Sequence, residues 1–139
     1  MMKQFPNIIF VLLFFFIISI PSCTVKKTEN PAIAYKYWSG SKAPKEIELI
    51  HARYWESSHW SKEYIMYMEL KAPTHWIQEY IEQNKLIKAG NAKITANDIP
   101  AWFNPSAKSK IYTMADSTNR SVYYYDSLNH KLLIYEIQL

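Results

Sequence analysis

Three observations predict an α+β fold, a single antiparallel sheet of about five strands with one short helix packed on it. Residues 46–55 and 63–71 carry strand-like patterns on either side of a seven-residue loop. One stretch, His75 to Asn84, carries a helical period instead. Three further strand-like runs close the chain at 110–115, 121–126 and 131–138. The predicted order is ββα(turn)βββ.

Ahead of the sheet, the chain opens with Lys3 as its only charge. It then runs from Ile8 to Ile20, thirteen residues that are apolar except for Ser19. A transmembrane helix needs about 20 apolar residues, whereas a secretory signal uses ~7–15. Ile20-Pro21-Ser22-Cys23 follows, with the only cysteine in the sequence. This stretch resembles the lipobox of bacterial lipoproteins, with Ile20 for the commoner Leu and Pro21 where Ala, Ser or Thr is usual. The resemblance covers residues 1–23 only. It implies cleavage before Cys23, a diacylglyceryl group on its sulfur and an acyl chain on the new amino group. No cofactor other than this covalent lipid is expected. Thr24, where Asp would favour inner-membrane retention, implies the outer membrane of the cell envelope rather than the inner. A lone Cys has no intrachain disulfide partner, and lipidation removes a free thiol from an oxidising compartment.

The expected organisation is therefore a signal peptide over 1–22, a lipidated Cys23 with a tether over 23–45, and a globular domain over 46–139. Residues 24–34 show no apolar period and include Pro31, although Tyr35, Tyr37 and Trp38 are aromatics that seldom stay solvated. They are expected to dock on the domain or form an edge strand.

Within the domain, Ile47, Leu49, His51, Arg53 and Trp55 alternate with Ile50, Ala52 and Tyr54. On the next strand Tyr64, Met66, Met68 and Leu70 share a face, with Glu63, Tyr67, Glu69 and Lys71 mostly outward. Thr74 is the expected helix N-cap; Trp76, Ile77, Tyr80 and Ile81 form the apolar face. Leu86 and Ile87 lead into a short strand before Gly90. Two prolines bracket Trp102-Phe103 in 97–105, an expected plug against the sheet, with Asp98 a candidate cap. Ser127 to His130 form a turn that pairs Asp126 with Lys131, Tyr124 with Leu133 and Tyr123 with Ile134.

Composition excludes more functions than it selects. Without residues 1–22 the chain carries 15 basic and 12 acidic residues, too even a balance to favour nucleic acid. Five of the six Phe lie before Cys23, leaving Phe103 with five Trp and eleven Tyr, whose polar tips suit half-buried positions and contact surfaces. Two glycines, Gly40 and Gly90, cannot build a phosphate loop, and no G-x-S-x-G elbow occurs. His51, His59, His75 and His130 lack zinc-site spacing. His51 and His59 are separated by roughly 13 Å of strand rise unless the loop folds back, and His51 suits packing. Paired acids such as Glu79 and Glu82 fit a solvated helix face. No catalytic residue and no metal ligand is assigned, and an enzyme is not expected.

The candidate binding patch is Arg53, Trp55, His59 and Trp60. Trp and Arg dominate interface hot spots, and Trp60 stands at the loop tip, either as a contact anchor or folded back over the sheet end. The expected function is a membrane-anchored, non-catalytic interaction module of the bacterial envelope, with an immunity- or inhibitor-like role as its specific form. Its partner is an envelope protein or glycan. The alternatives are a carbohydrate-binding envelope protein and a small metal-dependent hydrolase.

Overall fold

The computed structural model describes residues 24–116 and 118–139. The expected signal segment 1–22 and the lipid-bearing Cys23 lie outside the described residues. The strands are β1 (Lys26–Thr28), β2 (Glu48–Glu56), β3 (Tyr64–Lys71), β4 (Ile87–Ala89), β5 (Lys110–Thr113), β6 (Val122–Asp126) and β7 (Lys131–Gln138). The helices are α1 (Pro31–Ser39) and α2 (Thr74–Gln83). The fold is α+β with one open antiparallel sheet, but the sheet has seven strands rather than about five, in the order β1-β2-β3-β7-β6-β5-β4, and two helices rather than one.

The two extra elements at the N-terminal side replace the expected tether. Lys26, Lys27 and Thr28 pair with Glu56, Trp55 and Tyr54 as an edge strand. Asn30 then caps α1: its side-chain oxygen accepts the Ala32 and Ile33 amides at 3.0 and 3.1 Å, and Pro31 opens the first turn. Gly40, at φ 76°, closes the helix by donating its amide to the Lys36 carbonyl. Ala34 and Tyr35 are buried in the main core, so α1 is held by packing as well as by its caps.

β2 and β3 form the expected hairpin, and β6 and β7 pair in the expected register, with Tyr123 opposite Ile134 and Tyr124 opposite Leu133. A bulge between Leu49 and His51 breaks the alternation of β2. Leu49 therefore joins the core under the helices, while His51 lies with Arg53 and Trp55 on the other face. Thr74 does not cap α2. The capping position is Pro73, without a side-chain bond, and the Thr74 hydroxyl lies 3.2 Å from His130 Nδ1.

From β3, α2 carries the chain to β4 at the far edge, and β5, β6 and β7 return as a meander until β7 pairs with β3. Both helices cover one face, above Tyr54, Met66, Met68, Leu132 and Ile134. The opposite face is covered by residues 90–109, a strap without helix or strand. Ala92, Ile94, Trp102 and Phe103 pack on Tyr67, Leu133 and Tyr124, with Phe103 edge-on to Tyr67 at 5.3 Å. Tyr67 and Glu69, expected to face out, are consequently buried. Asp98 does not act as a cap; its backbone carbonyl accepts a hydrogen bond from Arg53.

Candidate functional site

Polar chemistry gathers at two places, one on each face of the sheet. Under the helices lies Glu136, buried on β7 in line with Leu132 and Ile134. Its Oε1 accepts the hydroxyls of Tyr80 at 3.0 Å and Tyr123 at 2.8 Å. Its Oε2 accepts the Trp38 indole N–H at 2.7 Å and the Tyr64 hydroxyl at 2.8 Å. One carboxylate thus ties α1 and α2 to β3 and β6 through four neutral donors. Burial and then the Glu136 charge push the ionisation of Tyr64, Tyr80 and Tyr123 well above the ordinary range. The phenols therefore stay donors, and the arrangement acts as a knot between the layers.

A second knot lies beside it. Lys26 Nζ meets Glu56 Oε1 at 2.7 Å, and the Tyr54 hydroxyl donates to Glu56 Oε2. Burial pushes the Glu56 carboxyl up, but the Lys26 and Tyr54 contacts outweigh it and hold the group below the usual carboxylate range. β1 is fastened to the sheet by this ion pair as well as by its backbone ladder.

On the strap face, a cleft of about 370 Å³ opens between β1, β2 and the turn of the strap at Asp98. Lys27, Trp55 and Ile65 sit side by side across three strands as one rung. Arg53 and Tyr67 form the next rung. Arg53 spans the cleft: Nε donates to Glu29 Oε1 at 3.3 Å, and Nη1 donates to the Asp98 carbonyl at 3.0 Å. The Tyr67 hydroxyl is buried and, among the described residues, lies within full hydrogen-bond distance of no partner; burial first, and then the charge and a weaker polar contact of the nearby Asp98 carboxylate, raise its ionisation.

The four residues of the sequence-derived patch divide between two locations. Arg53 and Trp55 line this cleft, whereas His59 and Trp60 stand in the β2–β3 loop outside its lining, with Trp60 100% exposed. Lys27, Glu29, Tyr67 and Asp98, with Tyr54 and Ile65 beside them, complete the lining; none of the first four is a binding residue expected from the sequence, where Asp98 is a candidate cap only. Two of them lie in the stretch read as tether, and the other two depend on the strap crossing the sheet. Glu136 did leave a signal in the sequence: a lone carboxylate at period two from Leu132 and Ile134 on an apolar strand face.

His51 stacks on Trp102 with ring centroids 5.1 Å apart, and its Nδ1 lies 2.9 Å from Glu69 Oε2, while Lys131 Nζ pairs with Glu69 Oε1 at 3.1 Å. This group fastens the strap to β2. Among the described residues, no group of three or more His, Cys, Asp or Glu side chains is placed to hold a metal ion, and no helix is long and apolar enough to cross a membrane.

Comparison of the chain with family models, curated proteins and solved structures gives no match. The cleft and the two knots are therefore read from their own chemistry.

Proposed function

We propose that the chain is an envelope lipoprotein, anchored through Cys23 in the outer membrane, whose folded domain is a non-catalytic binding module. Its recognition site is the Arg53–Trp55 cleft, and its partner is an envelope protein. The observation that supports this most is the cleft itself. Its volume of about 370 Å³ falls within the range of ligand-sized sites, with aromatic and apolar walls and a few convergent polar groups.

Those polar groups have capacity to spare. Arg53 uses one N–H of Nε and one of Nη1, leaving Nη2 unbonded among the described residues. Lys27 makes no ion pair among them. Trp55 and Arg53 are residue types that dominate interface energetics. The strap adds a further argument, because long segments without regular structure inside a small domain commonly carry function. A domain of this size on a lipid anchor suits an inhibitor-like role toward another envelope protein.

The test is crosslinking in intact envelopes with the tagged full chain, comparing wild type with Arg53→Ala and Trp55→Ala. Leu128→Ala, exposed in the β6–β7 turn, is the control. A partner recovered with wild type and the control but lost with both cleft variants supports the proposal. Equal recovery with all four chains overturns it.

A further inference from the structure

The direction of the strands places the N-terminal side of the domain and the β2–β3 loop at one end of the sheet. Lys26 pairs with Glu56, the last residue of β2, so Thr24 and Val25 emerge where the loop begins. Tyr64 pairs with Gln138, which brings Leu139 to the same end. The Ser57 amide donates to the Glu63 carbonyl at 2.9 Å and closes the base of the loop. Trp60 projects from its tip fully exposed, Val25 is 54% exposed and Leu139 69%. These three apolar side chains span four neighbouring strands, a width of about 14 Å. Residues 57–62 contain no acid; His59 and Lys62 flank Trp60, and Lys27 stands nearby on β1.

We infer that this end of the domain rests on the lipid surface, with Trp60 seated in the headgroup region as a second membrane contact beside the lipid on Cys23. The inference rests on the lipid-anchor reading of Cys23. Because β1 begins at Lys26, only Thr24 and Val25 separate the anchor from the sheet. The three Cα–Cα steps from Cys23 to Lys26 reach at most about 11 Å. The domain is thus held against the bilayer, and the end that faces it is the end carrying Trp60. Tryptophan favours this interface because its apolar ring can enter while its N–H stays hydrated. Lys62 and Lys27 add attraction to anionic lipid headgroups. The exposure of Trp60 is then explained by lipid, and the protein-recognition role stays with the cleft on the adjoining face.

The experiment uses the full chain produced in cells with radiolabelled palmitate. The processed protein is then reconstituted into vesicles of phosphatidylethanolamine and phosphatidylglycerol brominated near the headgroup end of the acyl chain. Wild type is compared with Trp60→Phe, a change at an exposed position that leaves the fold intact. The inference predicts label that Cys23→Ala abolishes. It also predicts quenching of a share of the emission comparable to one of the five tryptophans in wild type and its loss in Trp60→Phe. Label on Cys23 with equal quenching in both chains overturns the docking and leaves the anchor standing. A Trp60-dependent protein crosslink without bromolipid quenching does the same and assigns the tip to a protein. Absence of label on Cys23 overturns the anchor reading and, with it, the inference.

Discussion

Arg53 Nη1 donates to the Asp98 backbone carbonyl at 3.0 Å, fastening the middle of the strap to β2 across the cleft. A lysine at this position keeps the charge but not the fork that reaches Glu29 and Asp98 together. Arg53→Lys is therefore expected to cost about 1 kcal/mol, the worth of one such hydrogen bond. Amide hydrogen exchange in residues 97–100 should accelerate while the β6–β7 ladder keeps its protection. Unchanged exchange in the strap contradicts the clasp.

Glu136 predicts a larger effect. In Glu136→Gln an amide NH₂ replaces one acceptor oxygen and faces two of the four donors from Trp38, Tyr64, Tyr80 and Tyr123. Buried donors left without an acceptor cost about 1–3 kcal/mol each, so a loss of about 3 kcal/mol is expected in urea unfolding. Tyr64→Phe, which removes one donor, should cost about 1.5 kcal/mol.

Tyr67 predicts the opposite sign. Among the described residues its hydroxyl has no hydrogen-bond partner, so Tyr67→Phe removes an unsatisfied polar atom while keeping the ring on Phe103 and Tyr135. The variant is expected to be as stable as wild type or up to about 1 kcal/mol more stable. A clear loss of stability would show that the hydroxyl is already satisfied.

The tyrosines around Glu136 also set an alkaline limit. Their folded-state ionisation is raised, so their contribution is complete below the ordinary tyrosine value of about 10 and is lost as pH rises above it. Phenolate absorbance of these groups should appear together with loss of far-ultraviolet circular dichroism. Glu56 works in the other direction: its carboxyl is lowered, so its contribution is present above about 4.3 and is lost as pH falls below that. Lys26→Ala, which removes a half-exposed partner, should cost about 0.5 kcal/mol at neutral pH and less in acid.

The sequence carried the hairpins well, because β2–β3 and β6–β7 are local pairings with clear turn signals. It carried β1 and α1 poorly. Asn30-Pro31 was a legible helix start, and Asn30→Ala should lower stability by about 1 kcal/mol, but its isolation from any apolar period hid it. The bulge between Leu49 and His51 leaves no mark in composition, so the sequence pattern predicts a single parity along β2. The cleft was half legible. Arg53 and Trp55 share a strand and a face, whereas Glu29 and Asp98 reach them only through contacts that span 24 and 45 residues of chain. Such contacts depend on tertiary packing and have no local signature.

The most direct test of the cleft as the recognition site is hydroxyl-radical footprinting of Trp55. The full chain in native envelopes is compared with the same chain in vesicles that hold no other protein. The account predicts that Trp55 reacts freely in the vesicles and is protected in the envelopes, with Leu128 equally reactive in both. Equal labelling of Trp55 in the two settings would contradict it.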